Sequence, residues 1–225
     1  HIFLAGYEKS PSGRLINVIR EDAELIRTIE EVEGGKVRYL ARRSSLDGTL
    51  IFEGESISQN VVGVNWKAET YLPERLVLRE GSIEDVLKES RALVLNEKMA
   101  ERLNVRLGDT LLVQLQTVTG QQNVGEFILA ATSVDSGLFS AISAYAHRDH
   151  VNRLLNIDPQ EYISLGIFLE NMDEMDPESD RLFKALEPRV PMVPRFSGPR
   201  GFREQRNALL EESWEGTRYQ LFTIS

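Results

Sequence analysis

The spacing of apolar residues changes period several times along this chain, and each change marks an element. Ala92–Gln116 shows three such changes. Leu93, Val94 and Leu95 form a short unbroken apolar run between polar residues, the pattern of a strand covered on both faces. Asn96 then supplies a side-chain oxygen for the free amides of a helix start, with Glu97 in the first turn opposing the positive end of the dipole. Met99, Ala100 and Leu103 make one stripe opposite Lys98, Glu101 and Arg102, and Asn104 closes the helix. Gly108-Asp109 predicts a tight turn into Thr110. Beyond it Leu111, Val113 and Leu115 alternate with Leu112, Gln114 and Gln116, so the next strand has one covered face.

The same reading extends both ways. His1–Gly6 predicts a strand, and the glycine, proline and serine of residues 6–13 predict a loop. Asp22–Val32 predicts a helix with Leu25, Ile26, Ile29 and Val32 on its buried stripe, ended by a left-handed residue at Gly34-Gly35. Val37–Ala41 then returns as a strand. Asp47-Gly48 reads as a turn, Thr49–Phe52 as a strand, and Gly54-Glu55-Ser56 turns it into Ile57–Val64 as a hairpin. Gly120–Asn123 reverses the chain into a partner strand, Val124–Ala131. Ser143–Ala146 predicts a further strand, followed by a helix with Val151, Leu154 and Leu155 on one side that ends near Asn156. Tyr162–Glu170 reads as an alternating strand. Asp176-Pro177 opens a helix that buries Leu182, Phe183 and Leu186, and Pro188 ends it. Arg189–Phe196 reads as an edge strand, the one place its prolines suit.

Both ends of the chain thus carry strand, helix, strand. Packed as one antiparallel sheet with both helices on one face, they give an α+β, split βαβ or ferredoxin-like base, and the middle becomes an inserted β-rich module.

Two stretches add a resemblance. Leu-Val-Leu-Asn-Glu-Lys-Met-Ala-Glu-Arg-Leu-Asn-Val-Arg-Leu-Gly-Asp-Thr (93–110), together with Val-Val-Gly-Val-Asn-Trp (61–66) and the Glu80-Gly81 pair that follows a short polar helix, resembles the extracytoplasmic domain of ABC-transporter permeases of the LolC/LolE, MacB and FtsX-like superfamily. The similarity is densest from Val61 to Thr132. It implies a ferredoxin-like, porter-like base from residues 1–65 and 157–225 carrying a sabre-like β-rich insertion at 66–156. It also implies a non-enzymatic domain outside the cytoplasm, on the periplasmic side of an inner membrane, with no cofactor of its own. ATP is hydrolysed by a separate cytoplasmic ATPase, whose motion reaches this domain through membrane helices at its two ends. A second permease copy or paralogue, and a periplasmic carrier, adaptor or lipoprotein, complete the implied partners. The alternatives are a free-standing extracytoplasmic binding module and a hydrolase with an unrecognised site.

Composition narrows this picture. At 225 residues, 41% hydrophobic and 27% charged, the chain can bury a core and is not disordered, and the length suits two subdomains. A net charge of −9 argues against nucleic acid, which demands a dense cationic face. No cysteine is present, which excludes disulfides, thiolate metal sites and cysteine nucleophiles. No apolar run reaches the ~20 residues of a membrane span. Because the chain opens directly in a strand at His1 rather than at methionine, it reads as an excised domain.

Candidate chemistry is sparse. His147 and His150 stand at i, i+3, but a metal site needs at least a third ligand and none is near, so a polar helix start explains them. Glu30, Glu31, Glu33, Glu211 and Glu212 read as solvated helix faces rather than acid–base pairs. No nucleophile elbow, zincin motif or phosphate-binding loop occurs. Arg189, Arg195, Arg200, Arg203 and Arg206 cluster beside Phe196 and Phe202 in an otherwise acidic chain. Of these, Arg195, Arg200, Arg203 and Arg206 are the candidate partner or anion contacts, against the simpler reading of a solvated loop. Trp214, Tyr219 and Phe222 read as core aromatics of the last element, or as residues that approach a membrane.

Overall fold

The computed structural model describes residues 1–134, 143–170, 175–196, 201–211 and 214–223. They fall into two compact units, one of His1–Arg42 with Gln160–Ser225 and the other of Arg43–Pro159. The second is therefore inserted into the first. It begins earlier than the span 66–156 read from the sequence, because the hairpin preceding Trp66 pairs within it.

The outer unit starts with β1 (Ile2–Lys9), β2 (Leu15–Asn17) and α1 (Ala23–Glu33). Tyr7–Lys9, expected in a loop, extend β1 because they pair with Leu15–Asn17, which leaves a turn closed by Gly13 N–H donating to the Ser10 carbonyl at 2.8 Å. On α1 the buried residues are Leu25, Thr28, Ile29 and Glu33, so the covered stripe is rotated from the expected one. Polar Thr28 and Glu33 are tolerated inside because their oxygens are occupied, Thr28 by the Glu24 carbonyl and Glu33 by Arg181. Nor does a left-handed residue end the helix. Gly34 has φ −49°, Gly35 is not among the positive-φ glycines, and Lys36 N–H closes the turn on the Glu33 carbonyl at 2.7 Å.

β3 (Val37–Phe52) then runs without a break through Asp47-Gly48, where a turn was expected, and leads into the inserted unit. Gly48 is needed there for space rather than for bending. A Cβ on it would stand 2.9 Å from Val113 Cγ2 and 3.0 Å from the Gln114 carbonyl oxygen, on the neighbouring strand. β3 and β4 (Glu55–Val64) form the expected hairpin, whose two turn residues Glu53 and Gly54 have φ of 46° and 93°.

The inserted unit continues with α2 (Tyr71–Arg75), β5 (Leu78–Gly81), α3 (Ile83–Lys88) and β6 (Ala92–Asn96). After these come α4 (Glu97–Leu103), β7 (Thr110–Gln116), β8 (Gln122–Ser133), β9 (Ser143–His147) and α5 (Arg148–Leu155). Each of β3, β4, β9, β6, β8 and β7 pairs with the next, and β7 returns to β3, so the strands close into a ring. Closure removes the open edges that would otherwise template aggregation. Leu111, Val113 and Leu115 on β7 and Phe127 and Leu129 on β8 are buried as the alternation predicts. β6 is buried on both faces because Ala92 and Val94 join Val64, Trp66, Leu72 and Val86 in a second core, while Leu93 and Leu95 are enclosed on the opposite side.

Local capping follows the sequence closely. The Asn96 side chain accepts the Lys98 amide at 3.0 Å, Asn104 ends α4 at φ 55°, and Asn156 ends α5 at φ 59°. In the Val61–Trp66 stretch, Gly63 lets α5 lie against β4. A side chain there would meet Arg148 Cα and Val151 Cβ, both at 2.9 Å.

The chain re-enters the outer unit with β10 (Ser164–Leu169), α6 (Met175–Leu186), α7 (Gly201–Glu211) and β11 (Arg218–Thr223). Rather than alternating, β10 is buried from Leu165 through Leu169, as befits an inner strand. The edge strand expected at Arg189–Phe196 reduces to one bridge between Met192 and Tyr219, since Pro188, Pro191 and Pro194 remove donors from a ladder. Its place is taken by β11. The resulting order is β11, β1, β10, β3, with β1 antiparallel to both of its neighbours. Ile2, Leu4, Leu165, Ile167 and Leu221 from the sheet pack with Leu25 and Ile29 of α1 and Leu182 and Leu186 of α6 in one core.

Candidate functional site

In the outer unit the two ends of the chain are brought together by β1 and β11. Their register runs from Ile2 opposite Thr223 to Tyr7 opposite Arg218, so the first strand starts and the last strand stops at the same end of the sheet. Across that end, on the face turned away from α1 and α6, runs a row of rings. Phe222 stacks on Phe3 at 5.6 Å, Phe3 meets Phe168 edge-on at 6.1 Å, and Phe168 stacks on Tyr39 at 4.3 Å. Gly166, opposite Phe3, leaves room for Phe168.

The three C-terminal aromatics have separate fates. Phe222 belongs to this row, and Tyr219 is buried with its hydroxyl donating to the Glu21 carbonyl at 3.2 Å. Trp214 lies between Lys9 and Arg218, whose charged groups stand 4.7 and 4.9 Å from its ring centroid, at the other end of the β1–β11 pair.

The arginine cluster is also divided. Arg189 bonds Thr28 and Glu31, which ties the segment after α6 to α1. Arg195 donates to Asp180 at 2.6 Å and to Ser179 at 3.2 Å, and its guanidinium lies 5.5 Å from the Phe183 ring centroid. Arg203 and Arg206 are exposed on α7, one turn apart. Arg200 lies outside the described residues, as do the side chains of Phe202, Glu211 and Glu212.

Ion pairs hold two of the other charges singled out in the sequence. Glu33 is buried and receives two bonds from Arg181, at 2.9 and 3.0 Å, and Glu31 pairs with Arg189. Sequence reasoning missed two polar clusters that are buried at least in part. Tyr162 donates to Asp22 at 2.7 Å, and Arg42 donates to the same oxygen at 2.6 Å; burial, then the Asp22 contact, raises the Tyr162 phenol well above its ordinary range. In the inserted unit Glu69, 2% exposed, accepts from Arg43, whose Nη2 also donates to the Tyr71 hydroxyl at 2.9 Å. Neither cluster carries a motif, since their members lie far apart in sequence.

His147 and His150 line a cleft of about 450 Å³ in the inserted unit, with Trp66, Lys67, Lys88, Arg148, Asp149 and Arg153 among its walls. His147 Nε2 donates to the Val86 carbonyl at 2.6 Å, and His150 Nε2 donates to the Glu126 carbonyl at 2.8 Å. His150 Nδ1 is then the acceptor for Arg153 at 3.2 Å, which fixes the tautomer and steers the guanidinium. Burial, with Arg153 and Arg91 nearby, lowers the His150 pKa. Both Nε2 atoms are thus engaged with backbone. Among the described residues no group of three or more metal-type ligands occurs, and no helix is long and apolar enough to cross a membrane.

No protein-family profile matches the chain, and no characterised protein matches its sequence. Solved structures do. The extracellular domain of the noncanonic ABC-type transporter YknZ from Gram-positive bacteria matches at 15% identity and a TM-score of 0.49, covering 83% of this chain and 93% of that one. The periplasmic region of MacB from Actinobacillus actinomycetemcomitans matches at 16% identity and a TM-score of 0.49, covering 83% of each. A domain of a putative permease from Porphyromonas gingivalis matches at 14% identity and a TM-score of 0.47, covering 100% of this chain and 88% of that one. These domains of transporters and permeases are what the chain is similar to.

Proposed function

We propose that this chain is the extracytoplasmic domain of an ABC-transporter permease, a non-enzymatic body that passes ATP-driven motion from the membrane to a lipoprotein, hydrophobic cargo or periplasmic partner. The observation that carries the reading is the pairing of Ile2 with Thr223. Partners in an antiparallel sheet stand about 4.5–5.5 Å apart, and packed helices about 8–10 Å, so two neighbouring membrane helices can hold both ends through short linkers. A displacement of those helices would then act on β1 and β11 together, which are hydrogen-bonded in register. The permease-like sequence at 61–66 and 93–110 is independent support.

Finer parts of the reading rest on topology. α1 between β1 and β3, α6 between β10 and β11, and the order β11, β1, β10, β3 support reading the outer unit as a ferredoxin-like split βαβ base. The closed ring of strands is the sabre-like insertion. A cytoplasmic ATPase, a second permease copy or paralogue and a periplasmic carrier or adaptor are the partners this role requires. Exposed Arg203 and Arg206, with Arg200, are placed here as the contacts for an acidic one, while Arg195 is held by Asp180.

The full-length reading frame tests the proposal. It should contain apolar spans of about 20 residues shortly before His1 and shortly after Ser225. A cleavable signal on one side and no span on the other would leave a free-standing extracytoplasmic binder instead.

A further inference from the structure

The cleft beside α5 does not belong to the sheet end that meets the membrane in the proposed function, and its chemistry is distinctive. Four cationic side chains, Lys67, Lys88, Arg148 and Arg153, line it against the single carboxylate of Asp149, in a chain whose net charge is −9. Lys67, Lys88 and Arg153 are exposed and, among the described residues, none of them pairs with a carboxylate. Asp149 is 71% exposed and stands 3.9 Å from Arg148. Gathering like charges in one concavity costs repulsion in the empty protein, and an anion reverses the sign of that term.

Trp66 supplies a second, independent sign. It is only 4% exposed, lines the same cleft, and its indole N–H has no hydrogen-bond partner among the described residues. Buried donors are nearly always satisfied, so an unpaired one in a residue that lines this cationic cleft is an exception. The amino end of α5, where the His147 side chain is turned to the Val86 carbonyl and caps nothing, adds partial positive charge to the same space. His150 is the positioning residue, since its Nδ1 holds Arg153 in place.

We infer that this cleft binds a phosphate-class dianion, a phosphomonoester carried on a small organic body. The charge calls for a dianion rather than a lone carboxylate, and lysine with arginine suits phosphate oxygens. The volume, about 450 Å³, lies in the range of small-molecule sites and exceeds what a bare ion fills. The same headgroup chemistry is available from a soluble phosphomonoester or from a monoester lipid.

Calorimetric titration of the 225-residue chain with glycerol 3-phosphate at low ionic strength, and cosedimentation with phosphatidylcholine vesicles with and without phosphatidic acid, test the inference. Saturable binding of the soluble ester, weakened at least about tenfold in Lys67→Glu/Lys88→Glu, supports the site with a soluble source. Binding to phosphatidic acid vesicles alone, lost in the same variant, supports it with a lipid source. Because a misfolded variant would bind nothing for another reason, Lys67→Gln/Lys88→Gln is measured beside it, with an intermediate loss and an unchanged circular dichroism spectrum expected. No saturable binding of either probe, or binding equal in wild type and both variants, overturns the inference. Neither result bears on membrane attachment, which the flanking spans decide separately.

Discussion

Gly48 offers a sharp test of how the inserted unit closes. If β3 runs straight through Asp47-Gly48 and pairs with β7, Gly48→Ala places a methyl 2.9 Å from Val113 Cγ2, 3.0 Å from the Gln114 carbonyl oxygen and 3.2 Å from Leu46 Cδ1. Two effects oppose each other. Replacing glycine restrains the unfolded chain and by itself stabilises by about 0.4–1 kcal/mol. Forcing an extra carbon into a filled space costs about 1–3 kcal/mol, and here one obstacle is a backbone carbonyl that can yield only if the β3–β7 pairing shifts. The overpacking wins, leaving the variant about 1–2 kcal/mol less stable. For a chain of this size that is a drop in melting temperature of roughly 2–8 °C, read by scanning calorimetry. Val113→Ala removes the nearest atom, so the double variant should recover about 1 kcal/mol relative to the sum of the single changes. A Gly48→Ala protein that melts higher than wild type, or that shows no coupling to Val113, would refute ring closure through this strand.

Other perturbations address the buried charges and caps. Glu69→Leu should cost about 3–5 kcal/mol in urea unfolding, because it removes the carboxylate that neutralises Arg43 at 18% side-chain exposure, whereas Arg43→Met/Glu69→Leu should recover most of the loss. Asn96→Ala removes the acceptor for the Lys98 amide and should cost about 1 kcal/mol by the same measurement. Burial lowers the folded pKa of His150 below its ordinary 6.5, so the unfolded chain binds more protons once pH falls past that value. This part of the stability is fully present above 6.5 and declines as pH drops, by at most about 1.4 kcal/mol per pH unit for one proton. Melting curves of His150→Gln should therefore flatten between neutral and mildly acidic pH, and an unchanged slope would contradict a neutral buried imidazole.

Local grammar made much of the fold legible. The span from Ala92 to Gln116 could be read residue by residue because caps, a glycine turn and strict alternation each act over a few neighbours, and Asn96, Asn104 and Gly108 all behave as their chemistry dictates. Misreadings came where a distant partner decided the outcome. Asp47-Gly48 has the dipeptide of a turn, yet β7 holds it extended and uses the glycine for space. Gly34-Gly35 looked like a left-handed stop, but Lys36 bonding back to Glu33 closes the turn without one. Arg189–Phe196 reads as an edge strand, yet the prolines there leave β11 to pair with β1.

The candidate sites were less legible for the same reason. His147 and His150 drew notice by their spacing, while Lys67, Lys88 and Trp66, which share their cleft, come from stretches with no pattern to link them. In the arginine segment the sequence could not separate Arg195, held by Asp180, from Arg203 and Arg206, which face solvent on α7.

The measurement closest to the central claim follows the full-length protein in spheroplasts. This chain has no cysteine, so a single thiol at exposed Ser12, in an otherwise cysteine-free protein, reports where the outer unit lies. The account predicts that Ser12→Cys reacts with a membrane-impermeant maleimide before lysis and that the labelled protein stays in the membrane through an alkaline wash. Labelling only after lysis, or release of the labelled protein into the wash, would contradict a domain held outside the cell membrane by helices at both of its paired ends.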